Sequence, residues 1–580
     1  MLHNFKGGVV MFGDLLVQKL QIIIVWMCRF FKMFHNYFMN GGNIDRFHFD
    51  LIGFPKSLNL KKKTTIFFFL VYYKKKMAIA SSNLTSGFID LATYDELDKY
   101  MYGGDESTAY FVRATQRSTW FTQVPVLLSR ASGQAGFGQD FSVTISRAGD
   151  YLLYTWLRMT IPEISVLPAG DVSPTNPKFP GKTVKSVERF LAWTPNLMHN
   201  VIREAAVTFN DLVAARFDSW HLDFWNAFTT PAGKQVGYLN MIGMTDDLII
   251  PRKVLPSRVL NLPLPFWYSR DSGVALPTAS LPYNEMRINI SMREIGELIT
   301  AFEKFTLKDD DKNETTVVIS RPALGTDIKG EVKLDRVQVW ANYALVSNKE
   351  RKQMACAPRD ILIEQCQTAP LQSFNPETNP NQSYDIRFSH AVKILFFAAQ
   401  NTTVASQWSN YTTDENRAFD AGVVDSLLVD QFFPGSDPVV ETSLIYENTQ
   451  RLAQMGSDYY SLIQPYYTGV TIPPYTGYHM YSYSLDFMSL DPLGSTNFGK
   501  LTNVSIIPTA SETAILRASV ADSLVDLAKI ENQSDPTIPP LIYGGERSFW
   551  NRRQTFRFVV TAVNNNIIRI SGGALGFPVL

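Results

Sequence analysis

A chain of 580 residues that is 45% hydrophobic, 13% aromatic and only 19% charged carries apolar material for more than one sizeable core. That composition excludes a disordered, collagenous or coiled-coil chain, and 54 basic against 54 acidic residues exclude chain-wide attraction to nucleic acid. Cys28, Cys356 and Cys366 are too few for a disulfide framework or a Cys-rich zinc site.

The zero hides an asymmetry. Residues 1–76 hold ten Lys and two Arg against three Asp, a surplus of +9, so the remaining 504 residues carry −9. Val9–Phe31 is largely apolar but includes Asp14, Lys19 and Arg29, and a charge near the centre of a span costs roughly 2.5–3.5 kcal/mol. Thr64–Tyr73 is apolar between two Lys triplets, yet it falls well short of the ~20 residues that cross a bilayer. No small-residue cleavage site follows either stretch. Phe67-Phe68-Phe69, the Lys triplets and excess Ile, Asn and Tyr match translated AT-rich DNA, and Met77 opens an ordinary protein start. The expectation for 1–76 is a misplaced start, to be set aside in reasoning about the fold. A basic, apolar arm is the alternative.

From Ser107 onward the dominant period is two. Phe141–Arg147 places its apolar residues on one face, and Ala148-Gly149-Asp150 turns the chain. Leu153, Thr155, Leu157, Met159 and Ile161 then share a face until Pro162. Met286, Ile288, Ile290 and Met292 alternate with polar residues, as do Val337 to Leu345 and Phe556 to Ala562. Such alternation predicts half-buried antiparallel strands. Pro- and Gly-rich loops separate them, for example Leu167–Pro180, Asn375–Ser383 and Pro473–Gly477. Helix is expected only over Arg293–Phe305 and Ser519–Ile530. Many strands, long loops and scarce helices predict an all-β chain of sandwiches or jelly rolls.

Lys304–Glu314 is dense in charge, so a linker or large loop is expected over 303–328, dividing two β units of similar size. The units share a loose likeness. Leu262-Pro263-Leu264-Pro265-Phe266-Trp267-Tyr268 leads into the strand at Met286, and Gln464-Pro465-Tyr466-Tyr467 leads into Tyr478–Phe487.

Motifs of enzymes are thin. Asp271-Ser272-Gly273 matches half of an aspartic protease, whose two carboxylates must share a proton, but the chain has no second such loop. Asp309, Asp311 and Asn313 begin like a calcium loop, yet Glu314 stands where Gly is required and Ser320 where the closing Glu belongs. Gly133-Gln134-Ala135-Gly136-Phe137-Gly138 lacks the spacing of a phosphate cradle. His199, His221, His390 and His479 are scattered. No catalytic, cofactor-binding or metal site residue is assigned, and no cofactor is expected. Eight Asn-x-Ser/Thr sequons, at Asn83, Asn289, Asn313, Asn381, Asn401, Asn410, Asn503 and Asn532, arise readily in an Asn-, Ser- and Thr-rich chain, and none is taken as a site.

Long blocks carry a family resemblance. They include Thr85–Tyr94, Lys99–Gly104, Ser146–Tyr151 and Leu262–Asn289, the last with Ser269-Arg270-Asp271-Ser272-Gly273 and Leu281-Pro282-Tyr283-Asn284-Glu285. Asp385–Ala391, Leu444–Thr449, Gly494–Gly499, Asn566–Ile570 and Gly576–Leu580 continue them in order. Met77–Leu580 resembles the major capsid proteins of iridoviruses, with the invertebrate-infecting members nearest. The resemblance does not reach residues 1–76, and Lys304–Glu314 and Val520–Gly545 look like local expansions.

The resemblance implies two tandem eight-stranded jelly rolls, 77–302 with an N-terminal arm and 329–580, joined by 303–328. It implies a homotrimer whose six rolls form a pseudo-hexagonal capsomer of an icosahedral shell, assembled in the host cytoplasm. Implied partners are further capsomers, minor capsid and penton proteins and, for a retained 1–76, the internal viral membrane; direct contact with nucleic acid is not. Trp220, Trp225 and Phe266 could serve the trimer seam or plain core. A secreted carbohydrate-binding β-sandwich is the competing class, since jelly rolls also make lectins, and a hydrolase built on Asp271 is a third.

Overall fold

The structure is a computed structural model that describes residues 83–113, 115, 117–170, 173–308, 314–414, 435–526 and 548–577. Residues 1–76, the calcium-like Asp309–Asn313 and the Asn532 sequon lie outside them. The chain divides into two units, Met1–Gln116 and Arg117–Leu580. In the first, Asp95 caps the helix α1 (Glu96–Met101) through the Asp98 N–H, and the Asp98 carboxylate returns the bond.

In the second unit, eight strands of the first half build two facing sheets, apart from shorter and added strands: β1 (Phe121–Leu127), β2 (Asp140–Thr144), β3 (Tyr151–Ile161), β4 (Ile202–Phe209), β5 (Leu212–Asp218), β6 (Arg258–Leu264), β7 (Met286–Met292) and β8 (Asp335–Val346). They form two antiparallel sheets ordered β1-β8-β3-β6 and β2-β7-β4-β5. Eight more follow: β9 (Arg359–Thr368), β10 (Tyr384–Asp385), β11 (Ala391–Asn401), β12 (Val439–Tyr446), β13 (Thr449–Gly456), β14 (His479–Ser482), β15 (Val504–Ala510) and β16 (Phe556–Ser571). Their sheets are β9-β16-β11-β14 and β10-β15-β12-β13. Numbered within its own half, each set reads 1-8-3-6 and 2-7-4-5, so the chain is two jelly rolls of one topology.

The alternation expected for Phe141 and Met286–Met292 holds, and that of Val337–Leu345 holds as far as Tyr343, with Phe141, Val143, Met286, Ile288, Ile290, Val339 and Ala341 buried in one core. Beyond Tyr343 it flips, Ala344 and Val346 being buried and Leu345 only partly so. In β3 the phase slips. A register shift opposite Asn342 and Tyr343 turns Leu152 rather than Leu153 into the core.

Four expectations need correction. Residues 303–328 are not a linker. Ile299–Lys308 and Glu314–Pro322 pair as a hairpin, joined by a third strand, Thr183–Trp193, over a small core of Phe179, Val184, Phe305, Leu307, Val317 and Ile319. Charge gathered around the hairpin hides the apolar alternation of its stems. The first roll is completed by β8, beyond the expected limit at 302, and β9 begins at Arg359. Arg293–Phe305 is likewise not a helix: Ile299 to Phe302 are all buried in a strand covered on both faces. Of the helix expected over Ser519–Ile530, residues 527–530 lie outside the described residues; in the described part the helix lies earlier, at Glu512–Ser519, capped by Ser511, and Ser523–Asp526 pairs as a strand with Ser548–Asn551. Finally, Leu262–Leu264 lies in β6 whereas Gln464–Thr468 is helix. The halves correspond in strand order, not in those two segments.

At Gly133 the φ of +76° and the Asp140 carbonyl, which a Cβ would approach to 2.2 Å, leave room for glycine alone. The Gly133–Gly138 stretch is thus the turn between Ser129–Gly133 and β2.

Candidate functional site

The two rolls meet along an aromatic seam. Between β5 and β6 the chain forms helix α2 (Ser219–Thr229), whose first turn is held by Asp218 accepting from the His221 N–H at 2.8 Å. Phe224 and Phe228 both stack on Phe396 of β11, with centroids 5.9 and 5.5 Å away. Ile394, Ala398, Tyr478, Met480, Phe487, Val559 and Val563 of the second roll complete this cluster. The other face of the same strand, Leu395, Phe397 and Ala399, belongs to the interior of the second roll. Strand β11 is therefore buried on both faces, which explains its continuous run Ile394–Ala399.

Polar groups lock the seam in register. One oxygen of Asp223 on α2 accepts from His199 Nδ1 at 2.7 Å and Asn196 Nδ2 at 3.1 Å; the other accepts from Ser409 Oγ at 2.6 Å and Tyr411 OH at 3.1 Å. Arg270 of the first roll donates through Nε to Glu364 of β9 at 2.7 Å and lies 4.1 Å from the centre of the Trp225 ring. Lys393 of β11 donates to the other Glu364 oxygen. Burial alone would raise the Glu364 pKa, but the Arg270 and Lys393 charges and hydrogen bonds hold it below the usual glutamate range. Arg293 binds the carbonyls of Asn200 and Ile202 and stacks 3.8 Å from the Trp408 ring centre. Beside these, Thr368 donates to Asp218 at 2.6 Å, and burial raises the Asp218 carboxyl. Burial, reinforced by Arg270, pushes His221 down to about 3 and keeps it neutral.

A buried ion cluster of this kind gives registration more than net stability, while loss of one member is costly. Its hydroxyls, on Ser409, Tyr411 and Thr368, are spent donating to carboxylates inside the seam. It welds two rolls into one block.

The three aromatic candidates resolve differently. Trp220 and Trp225 are half-buried at this seam within the chain, and Trp220 donates to Gln400 at 3.2 Å. Phe266 is core of the first roll, 4.9 Å from Phe217. Asp271 caps an exposed turn and accepts from the Gly273 N–H at 3.3 Å. Of the sequons, Asn401 and Asn410 are buried, and the Asn401 amide donates to the Thr412 carbonyl. Among the described residues no cluster of three His, Cys, Asp or Glu is placed to hold a metal, and no helix is long and apolar enough to cross a membrane. The polar members of the seam escaped sequence reading because each draws its partners from far along the chain.

Two family models match in tandem: "Major capsid protein N-terminus" over residues 109–346 and "Large eukaryotic DNA virus major capsid protein" over 350–535. The boundary between the matches falls just after β8. The chain is 52% identical to the major capsid protein of Costelytra zealandica iridescent virus over 513 residues, covering 87% of this chain and 100% of that one. It is also 52% identical to that of Invertebrate iridescent virus 6 over 514 residues, with the same coverage. Among solved structures, a quasi-atomic model of the PBCV-1 virus capsid aligns with a TM-score of 0.59 at 18% identity, covering 81% of this chain and 100% of the other. At that identity the likeness speaks for the fold.

Proposed function

The chain belongs to the major capsid proteins of large eukaryotic DNA viruses, in the iridescent-virus branch, and from that premise we propose that it works as a trimer. Three chains bring six rolls into a pseudo-hexagonal capsomer, and capsomers tile an icosahedral shell assembled in the host cytoplasm. The observation that carries this reading is the seam. Two rolls of one topology, welded through α2 and the Glu364 and Asp223 clusters, give each chain two near-equivalent sides of a hexagon. A ring of such blocks closes through heterologous contacts. The first 76 residues, where retained, are proposed to face the internal membrane, since their +9 charge suits an anionic surface; minor capsid and penton proteins are the other proposed partners.

Native mass spectrometry on protein from virions tests this, with the denatured intact mass reading whether residues 1–76 are retained. A trimer is the expected result. A monomer or dimer that stays small under assembly conditions rules the reading out.

A further inference from the structure

The seam inside the chain has a counterpart on its surface. Strands β3 and β11 hold the same place in their rolls and are both 11 residues long, with Trp156 and Phe396 each in sixth position. The outward face around Phe396 is covered by α2 of the preceding roll. Around Trp156 it is not. There Leu127, Trp340, Trp156 and Pro263 sit opposite one another across all four strands of the sheet, with Trp156 and Trp340 stacked at 6.1 Å and Tyr154 47% exposed beside them. Tyr154, Trp156, Pro263, Thr229, Thr230 and Tyr238 line an open cleft of about 540 Å³ on this side.

The helix is matched as well. As α2 lies between β5 and β6, so the helical segment Tyr459–Thr468 lies between β13 and β14. Its Tyr460 is buried in the second roll, whereas Leu462, Ile463, Tyr466 and Tyr467 stand 51%, 44%, 70% and 77% exposed. Leu462, Ile463 and Tyr466 repeat the spacing of Phe224, Trp225 and Phe228, the residues α2 sets against the second roll. Each chain thus has one covered face, one half-open face whose tryptophans are partly exposed, and one spare helix, the last two on different rolls.

We infer that the Tyr459–Thr468 segment of one copy docks on the Trp156–Trp340 face of a second copy, repeating between chains the contact that α2 makes within one. This rests on the capsomer reading and names its interface. Donor and acceptor surfaces differ, so the contact is heterologous, and repeated around the proposed trimer it alternates with the seam inside each chain. Exposed tyrosines meeting tryptophans are the residue types that concentrate binding energy at such contacts.

The test is native mass spectrometry of the full chain carrying Tyr466→Asp and Tyr467→Asp, alongside the wild type. A folded double variant, by circular dichroism, whose trimer is weakened at least about a hundredfold is the expected result. A wild type that trimerises and a variant that trimerises equally well overturn the docking and leave the capsomer standing. A wild type that never trimerises overturns both. Because the variant could misfold, a photo-crosslinking benzoylphenylalanine replaces Tyr467 in a second experiment. Chain-to-chain products through peptides holding Tyr154–Trp156 or Trp340 support the interface; attachment elsewhere, or a face protected only by added glycan, sinks it.

Discussion

Asp223 and Ser409 meet across the seam at 2.6 Å, both buried, one from each roll. Because the same carboxylate also holds His199, Asn196 and Tyr411, its removal strands polar partners on both sides. Asp223→Ala is expected to destabilise the chain by roughly 3–5 kcal/mol. Thermal unfolding followed by calorimetry measures this, and a melting temperature equal to the wild type's would show the hub to be dispensable.

Phe396→Ala empties the centre of the aromatic seam, where Phe224 and Phe228 stack on the same ring. A loss of about 3–5 kcal/mol is expected. The effect should concentrate on coupling between rolls: one calorimetric transition in the wild type becomes two in the variant. A variant that still melts in one step, at an unchanged temperature, would contradict the role given to this contact.

Acid should loosen the seam. The folded Glu364 carboxyl lies below its ordinary value of about 4.5 because Arg270 and Lys393 favour its charge, and Asp327 is held down in the same sense by Arg321. A group depressed in the folded state adds stability above its unfolded pKa and loses it as the pH falls through the folded one. Melting temperature is therefore expected to hold through neutrality and fall below about pH 4.5. Glu364→Gln should flatten part of that fall while lowering stability at pH 7, because two buried cations then lack their anion. Melting curves from pH 3 to 7 on both proteins decide it.

Asp271→Asn is expected to change neither folding nor oligomeric state, within roughly 0.5 kcal/mol, because its one local bond is to the Gly273 N–H and Asn caps such turns nearly as well. A hydrolytic activity found in the natural protein and abolished by this substitution would reopen the enzyme reading.

Sequence alone made the strand-rich architecture legible wherever one face of a strand meets a core and the other meets solvent, as in Met286–Met292. It failed where both faces are covered. Ile394–Ala399 and Ile299–Phe302, in two different sheets, lose their alternation for that reason, so the first shows no strand period in the sequence and the second reads as helix. Trp220 and Trp225 could be singled out by type, but whether they face core, seam or partner depends on strand order. The Arg270–Glu364–Lys393 cluster joins positions 94 and 29 residues apart, which no local pattern announces.

The strand order also sets a timetable. In the first roll Phe121 pairs with Val346, and in the second Arg359 pairs with Ile570. During synthesis each opening strand must wait for a partner more than two hundred residues later. Neither the second roll nor the seam around Phe396 can close before Phe556–Ser571 has been made, since that strand pairs with β11 and supplies Val559 and Val563 to the seam. Pairings so distant in sequence are slow to form and leave sheet edges bare meanwhile. Each roll is thus paced by its latest strand, and its first strand needs shelter until that partner arrives.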